Sequence, residues 1–204
     1  MDFVNFVGAF VKYFKGDIGD GGVILMRSIG AECPADKKEA FKKFKGQRKI
    51  SNSLQIEDFP KGSLGKEYAD FLQNNHKKEI LINHDLAVTD SSHKLFCNRA
   101  LLMHDMLHYL FGFAFTFEGE NALAAFLEAQ NEQKCLKYAL KGHAIACFVM
   151  KPWQYKKIKR GIRRGEHIGK NTPYILDIDF EPLWAMNLDE VKGLLKIPTT
   201  KENV

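Results

Sequence analysis

The chain has 204 residues, 45% of them hydrophobic, and a formal net charge of +5. That is enough apolar material for one ordinary domain with a real core, and it excludes an intrinsically disordered chain. The positive charge mildly favours an anionic partner without naming one. The four cysteines, Cys33, Cys97, Cys135 and Cys147, form no C-x-x-C pair and read as reduced cytosolic thiols.

Residues 2–15 set Phe3, Phe6, Val7, Phe10, Val11 and Phe14 at helical spacing. That face is either core or a surface that dips into a membrane or lines a lipid slot. The segment lacks a continuous apolar run and a small-residue cleavage site, so it is not a secretory signal. Residues 16–22 are a turn-rich break, and Asp17 and Asp20 lack the remaining spacing of a calcium loop. A short helix is expected over 23–29. Pro34 opens another over 35–45, with Phe41 and Phe44 inward and lysines outward. Residues 47–55 read as an extended polar loop. In Phe59-Pro60-Lys61-Gly62-Ser63-Leu64-Gly65, Pro and Gly set a tight loop, and Ser63 caps a helix carrying Tyr68, Phe71 and Leu72. Residues 79–87 fit a strand or a short helix equally, and His84-Asp85 reads as surface.

Ser91 or Ser92 caps a long helix over 93–112, apolar nearly all round, which marks it as central and buried. It carries His104-Asp105-Met106-Leu107-His108. Residues four apart share a helix face, and Asp105 lies roughly 100° round from His104 with His108 between them. Two imidazoles and a carboxylate amid Leu101, Leu102, Met103, Leu107, Leu110 and Phe111 are costly to bury unless a cation compensates them. The plainer alternative is a pair of core histidines bonded to backbone. Glu120 completes a ligand set only if the chain reverses. In one unbroken helix it would lie about 18 Å from His108 along the axis and roughly 120° around it. Gly112, Thr116 and Gly119 offer places to turn. His104, Asp105, His108 and Glu120 are therefore the candidate ligands of a divalent metal and the candidate catalytic residues. Their mixed donors favour Zn, with Fe, Co, Mn or Mg as alternatives. Arg99, five residues before His104, is either a substrate-binding cation for an anionic group or an ordinary structural ion pair.

The next helix starts at Thr116 or Glu118 and runs to about residue 133, with Ala122, Ala124 and Ala125 small enough to pack closely on the central helix. A further helix is expected over 133–153, where His143 stands alone and reads as a core or rim residue. Residues 151–170 are basic, with Trp153 and Tyr155 nearby. No nucleic-acid-binding motif accompanies that charge, which suits a solvated helix face or anionic lipid headgroups. After Pro173 comes a short segment over 174–180, a last helix over 188–196, and a frayed, disordered tail at 199–204. The longest apolar tract, 101–117, is too short and too polar to span a bilayer. The fold class is all-α: a single helical domain over residues 1–198 whose buried central helix carries the H-D-x-x-H motif.

His104-Asp105-x-x-His108 followed by Glu120 resembles the H-D-x-x-H-x11-E signature of the coenzyme Q biosynthesis protein 4 family. Phe59-Pro60-Lys61-Gly62-Ser63-Leu64-Gly65 with Tyr68 resembles that family's LPxGTFGxxY segment, with Ser63 and Leu64 where Thr and Phe are usual. Gly119-Glu120 with Phe126 and Glu128 resembles its GE-containing helix. Glu181-Pro182-Leu183-Trp184 to Leu195-Lys196-Ile197 resembles its C-terminal element, with Lys192 near a usual arginine. The resemblance implies an all-helical, cytoplasmic, peripherally membrane-associated homodimer that binds a polyprenyl lipid or prenylated quinone precursor and no nucleic acid. It implies one of two roles in ubiquinone biosynthesis. One is metal-dependent oxidative decarboxylation of a prenylated hydroxybenzoate headgroup. The other is a non-catalytic scaffold for other quinone-biosynthesis enzymes. A metal-dependent phosphohydrolase, suggested by the His-Asp dipeptide, would need distant ligands that the sequence does not offer.

Overall fold

The computed structural model describes residues 23–24, 26–27, 30–51, 55–131, 137, 140–141, 148–149 and 152–197. The segments 2–15, 16–22 and 199–204, most of 133–153 and His143 lie outside them. Among the described residues all regular structure is helical, apart from one isolated antiparallel bridge between Ser63 and Asn187. The expected all-α class holds among the described residues. Chain contacts resolve two compact units: the described residues up to Met106 with Leu176–Val191, and those from Leu107 to Ile175 with those from Lys192 onward.

In the first unit, the helix expected over 35–45 is wound in three pieces. Ala35–Lys37 and Lys42–Phe44 are 3₁₀ turns on either side of α1, Lys38–Phe41. A three-residue period stacks Phe44 over Phe41, and both rings are buried with centroids 6.2 Å apart. Helix α2, Leu64–Asn74, starts where expected: Ser63 Oγ accepts from the Lys66 amide at 3.3 Å and donates to the Pro60 carbonyl at 2.6 Å. It buries Leu64, Tyr68 and Leu72.

The ambiguity over 79–87 resolves into an extended run and a one-turn helix, α3, His84–Ala87, capped by Asn83. Ile80 and Ile82 do alternate inward, into a cluster with Val23, Ala87, Leu101 and Leu102. The alternation is real, but the ladder is not, because the run finds Arg48 rather than a partner strand: the Ile82 amide donates to the Arg48 carbonyl at 3.0 Å and Arg48 Nε donates to the Ile82 carbonyl at 3.2 Å. His84 and Asp85 are exposed, as expected.

Ser91 caps α4, Ser92–Leu102. The single helix expected over 93–112 is interrupted at Met103, after which α5, His104–Phe111, begins. Met103 keeps a right-handed backbone, but its ψ of −12° tightens the turn, and its amide turns to both the Arg99 and Leu101 carbonyls.

Arg99 is fully buried in this unit. Its Nε donates to the Leu176 carbonyl at 3.2 Å, Nη1 to Gln47 Oε1 at 2.9 Å and Nη2 to the Ile178 carbonyl, and its plane lies 4.1 Å from the Phe44 ring centroid. Burial pulls this guanidinium below its usual range, and the charges of Asp179, Glu181 and Asp177 oppose that pull.

The two sequence segments Phe59–Tyr68 and Glu181–Trp184 also meet here. The Leu64 amide donates to the Met186 carbonyl at 2.8 Å and the Gly65 amide to the Trp184 carbonyl at 2.9 Å. A Cβ on Gly65 would come within 2.7 Å of the Phe59 ring, so only glycine admits this approach. Tyr68 stacks on the fully buried Trp184 with centroids 6.2 Å apart.

The second unit holds the rest of α5, then α6, Phe117–Asn131, and α7, Pro152–Asn171. Close packing of α6 is achieved, but against α7, where Gly161, Gly165 and Gly169 sit one turn apart. A Cβ on Gly161 would stand 2.6 Å from the Glu118 carbonyl oxygen and one on Gly169 2.7 Å from that of Phe126, and one on Gly165 would strike the Ala122 carbonyl. Phe111, Phe113 and Phe126 fill the neighbouring core, with Phe111 and Phe126 centroids 4.5 Å apart. The last helix, α8, is Leu188–Leu194, two residues shorter than expected.

Candidate metal centre

Helix α5 carries His104 and His108 one turn apart, and it stops one turn after His108. Gly112 has φ +61°, a conformation that favours glycine. The Phe113 amide bonds back to the His108 carbonyl at 3.0 Å and the Gly112 amide to the Tyr109 carbonyl at 3.4 Å, the paired bonds of a Schellman C-cap. Thr116 then opens α6: its Oγ1 accepts from the Gly119 amide at 3.3 Å, and its carbonyl accepts from Glu120 at 2.9 Å. A Cβ on Gly119 would strike the Ala114 carbonyl, so glycine here lets the loop lie against the first turn of α6. The reversal anticipated at Gly112 and Thr116 is thereby made. Gly119 serves as a contact surface within the helix rather than as a turn.

The reversal brings Glu120 to the histidines. His104, His108 and Glu120 each offer one ligand atom, and the three atoms lie within 4.8 Å of one another. His108 Nε2 stands 3.4 Å from Glu120 Oε1. Its other nitrogen, Nδ1, is 2.9 Å from the Phe113 carbonyl. A carbonyl only accepts, so Nδ1 carries a proton and Nε2 is the nitrogen that faces Glu120. His104 Nδ1 is likewise 2.8 Å from Asp105 Oδ1, a carboxylate placed to orient the ring. Asp105 is thus placed against His104 and is not one of the three converging donors. Arg99 is not among them either, its three nitrogens being bonded to Gln47 and to the backbone of 176 and 178.

The environment is graded. His108 is sealed and packs on Phe115 with centroids 4.6 Å apart, whereas the side chains of His104 and Glu120 are 19% and 40% exposed. Glu120 lies in the first turn of α6, where the positive end of the helix favours a carboxylate. Tyr68 is fully buried. Burial first, then the charges of Asp105 and Glu79, hold its phenol well above the usual range, so it stays protonated. Three contributors were missed from the sequence. The Phe113 carbonyl is a backbone group with no residue signature. The Gly119 seat reads locally as a turn. Arg164, whose guanidinium donates to the Phe111 and Gly112 carbonyls at 2.8 and 3.2 Å, sits inside a G-x3-G-x3-G pattern at 161–169 that could have been seen.

Helices with two histidines and a glutamate meeting at a helix reversal define, among the described residues, a helical protein with a candidate metal centre. The chain belongs to the family described as coenzyme Q (ubiquinone) biosynthesis protein Coq4, whose family model matches residues 42–201, and its role lies in ubiquinone biosynthesis. Among solved structures, it is similar to a crystal structure of a candidate ubiquinone biosynthesis protein from Nostoc punctiforme PCC 73102, with a TM-score of 0.67 and 19% identity over 97% of each chain. Among curated proteins, none matches the sequence. No helix among the described residues is long and apolar enough to cross a membrane.

Proposed function

We propose that His104, His108 and Glu120 hold one divalent cation, with Zn favoured and Fe, Co, Mn or Mg as alternatives. In this reading the site receives the polar headgroup of a polyprenylated quinone precursor. The observation that carries it is the 3.4 Å approach of His108 Nε2 to Glu120 Oε1. With Nδ1 turned to the Phe113 carbonyl, Nε2 faces a carboxylate, and together with His104 they form a donor set that suits a divalent cation. Metal bonds of roughly 2.0–2.1 Å at tetrahedral angles set neighbouring donors about 3.3–3.4 Å apart, a spacing this pair matches.

Bound there, the cation supplies a Lewis acid for the carboxylate or phenolate of the headgroup. The residues do the rest. His108 anchors the closed side, Asp105 acts as a positioning residue that keeps the proton on His104 Nδ1, and the partly exposed His104 and Glu120 admit the headgroup. In the enzymatic form the headgroup is a prenylated hydroxybenzoate whose carboxyl group leaves as CO2 and is replaced by a hydroxyl, with dioxygen from solution as the oxidant that takes the two electrons. In the alternative form the chain holds the prenyl lipid as a scaffold for other quinone-biosynthesis enzymes. A peripheral membrane location is supported by α7 and the residues before it: Phe148, Val149 and Trp153 are 60%, 73% and 71% exposed, beside exposed Lys156, Lys157, Lys159, Arg160 and Arg163. A homodimer belongs to this reading as an expectation from the family.

The test is elemental analysis of the purified chain and of His108→Ala, with mass spectrometry of co-purified lipid. About one metal per wild-type chain, lost in the variant, is expected. A wild-type chain that neither carries nor takes up a divalent metal sinks the reading. Turnover of a prenylated hydroxybenzoate by wild type and not by His104→Ala identifies the enzyme, and lipid bound without turnover identifies the scaffold.

A further inference from the structure

Helix α7 contributes no donor to the centre, yet it braces both arms. The Schellman bonds at the end of α5 use the His108 and Tyr109 carbonyls and leave those of Phe111 and Gly112. Arg164 takes both: Nη2 donates to the Phe111 carbonyl at 2.8 Å and Nη1 to the Gly112 carbonyl at 3.2 Å. Its guanidinium also lies 5.2 Å from the Phe113 ring centroid. A cation at a helix C-terminus meets the negative end of the helix dipole, so the contact is favourable in charge as well as in geometry. Phe113 is therefore held on three sides: its amide by the His108 carbonyl, its carbonyl by His108 Nδ1, and its ring by Arg164. The residue beside Arg164 is Gly165, whose bare backbone lies against the Ala122 carbonyl of α6, the helix that carries Glu120. One helix thus fixes the lock on His108 and the seat of the acid facing it.

We propose that Arg164 is a positioning residue for the metal centre, setting its affinity and geometry through Phe113 and His108 without touching the ion. The inference rests on the metal reading above. Removing the two donors frees the α5 terminus to fray and the Phe113 carbonyl to drift from His108 Nδ1. The ring can then rotate or change tautomer, and Nε2 no longer points steadily at Glu120.

Co(II) titration of the metal-free full-length chain tests this, read by visible d–d absorption and by competition for affinity, with far-UV circular dichroism to confirm folding. Arg164→Met keeps the stem over the Phe113 ring and loses both donors. It should bind roughly tenfold more weakly, the lower end of the effect expected for residues that support a ligand, with a changed d–d spectrum. Arg164→Lys keeps the charge and can serve one carbonyl, and should fall between Met and wild type. Lys170→Met, on the same helix, exposed and paired with Glu166 at 2.6 Å, should bind as wild type does. Folded Arg164 variants with wild-type affinity and spectrum overturn the proposal. If Arg164→Met does not fold, Arg164→Lys decides alone: weaker binding with a changed spectrum supports it, and wild-type behaviour overturns it. A wild-type chain that binds no metal sinks the centre itself. Wild-type binding beside equal binding in the variants sinks this inference only.

Discussion

Each imidazole of the pair has its Nδ1 committed to an oxygen that holds its tautomer. For His104 the holder is a carboxylate, Asp105, and for His108 it is the Phe113 carbonyl. The difference predicts different penalties. Asp105→Asn leaves an amide oxygen to accept from His104, so Zn affinity measured by chelator competition should fall by about 10–100-fold. Glu120→Gln removes the only charged donor among the three and should cost more than that. A larger loss from Asp105→Asn than from Glu120→Gln would reverse the roles assigned to the two acids. At this scale much was legible in the sequence, because His104, His108 and Glu120 declare themselves by type and spacing. The Phe113 carbonyl could not be read, since every residue has one. Arg99 was misleading for a related reason: nothing in its neighbours shows that backbone carbonyls from residues 176 and 178 take its donors.

Among the elements, caps were the readable part. Ser63, Ser91, Gly112 and Thr116 act through local backbone geometry, and each ends or begins a helix where its chemistry says it should. What local chemistry does not contain is the partner of a helix. The alanines of α6 signalled close approach, but not that α7 is what approaches. Gly165 tests how close that is. In an isolated helix Gly→Ala gains about 1 kcal/mol of propensity. Here the new Cβ would collide with the Ala122 carbonyl, a backbone group that cannot rotate away, and overpacking of this kind costs typically about 1–3 kcal/mol or more. Gly165→Ala should therefore lower Tm, by roughly 2–4 °C for each kcal/mol of net destabilisation in a chain of this size. A higher Tm would mean that propensity wins and that the two helices are not in tight contact.

For the whole molecule, the segments that meet are far apart in sequence. Leu64 and Gly65 bond to the backbone of 186 and 184, and no periodicity predicts a pairing at that separation. The other large-scale property is the mixed basic and aromatic surface of α7, which was visible as composition but not as exposure. It predicts sedimentation with vesicles rich in phosphatidylserine. That binding should weaken as salt rises from 0.1 to 1 M, where the screening length shrinks from about 10 to 3 Å. Trp153→Ser should weaken it further at any salt, by removing an exposed ring that can enter the interface. Equal binding to neutral vesicles, or none to anionic ones at low salt, would exclude this surface as a membrane seat.

The connection from Gly112 to Thr116 behaves as a ruler. One residue added to it would rotate the following helix by about 100° and carry Glu120 off the histidine face, and one removed would do the same in the other direction. A relative that keeps both histidines but alters the count before the glutamate must have rebuilt the connection or given up the convergence of the three donors.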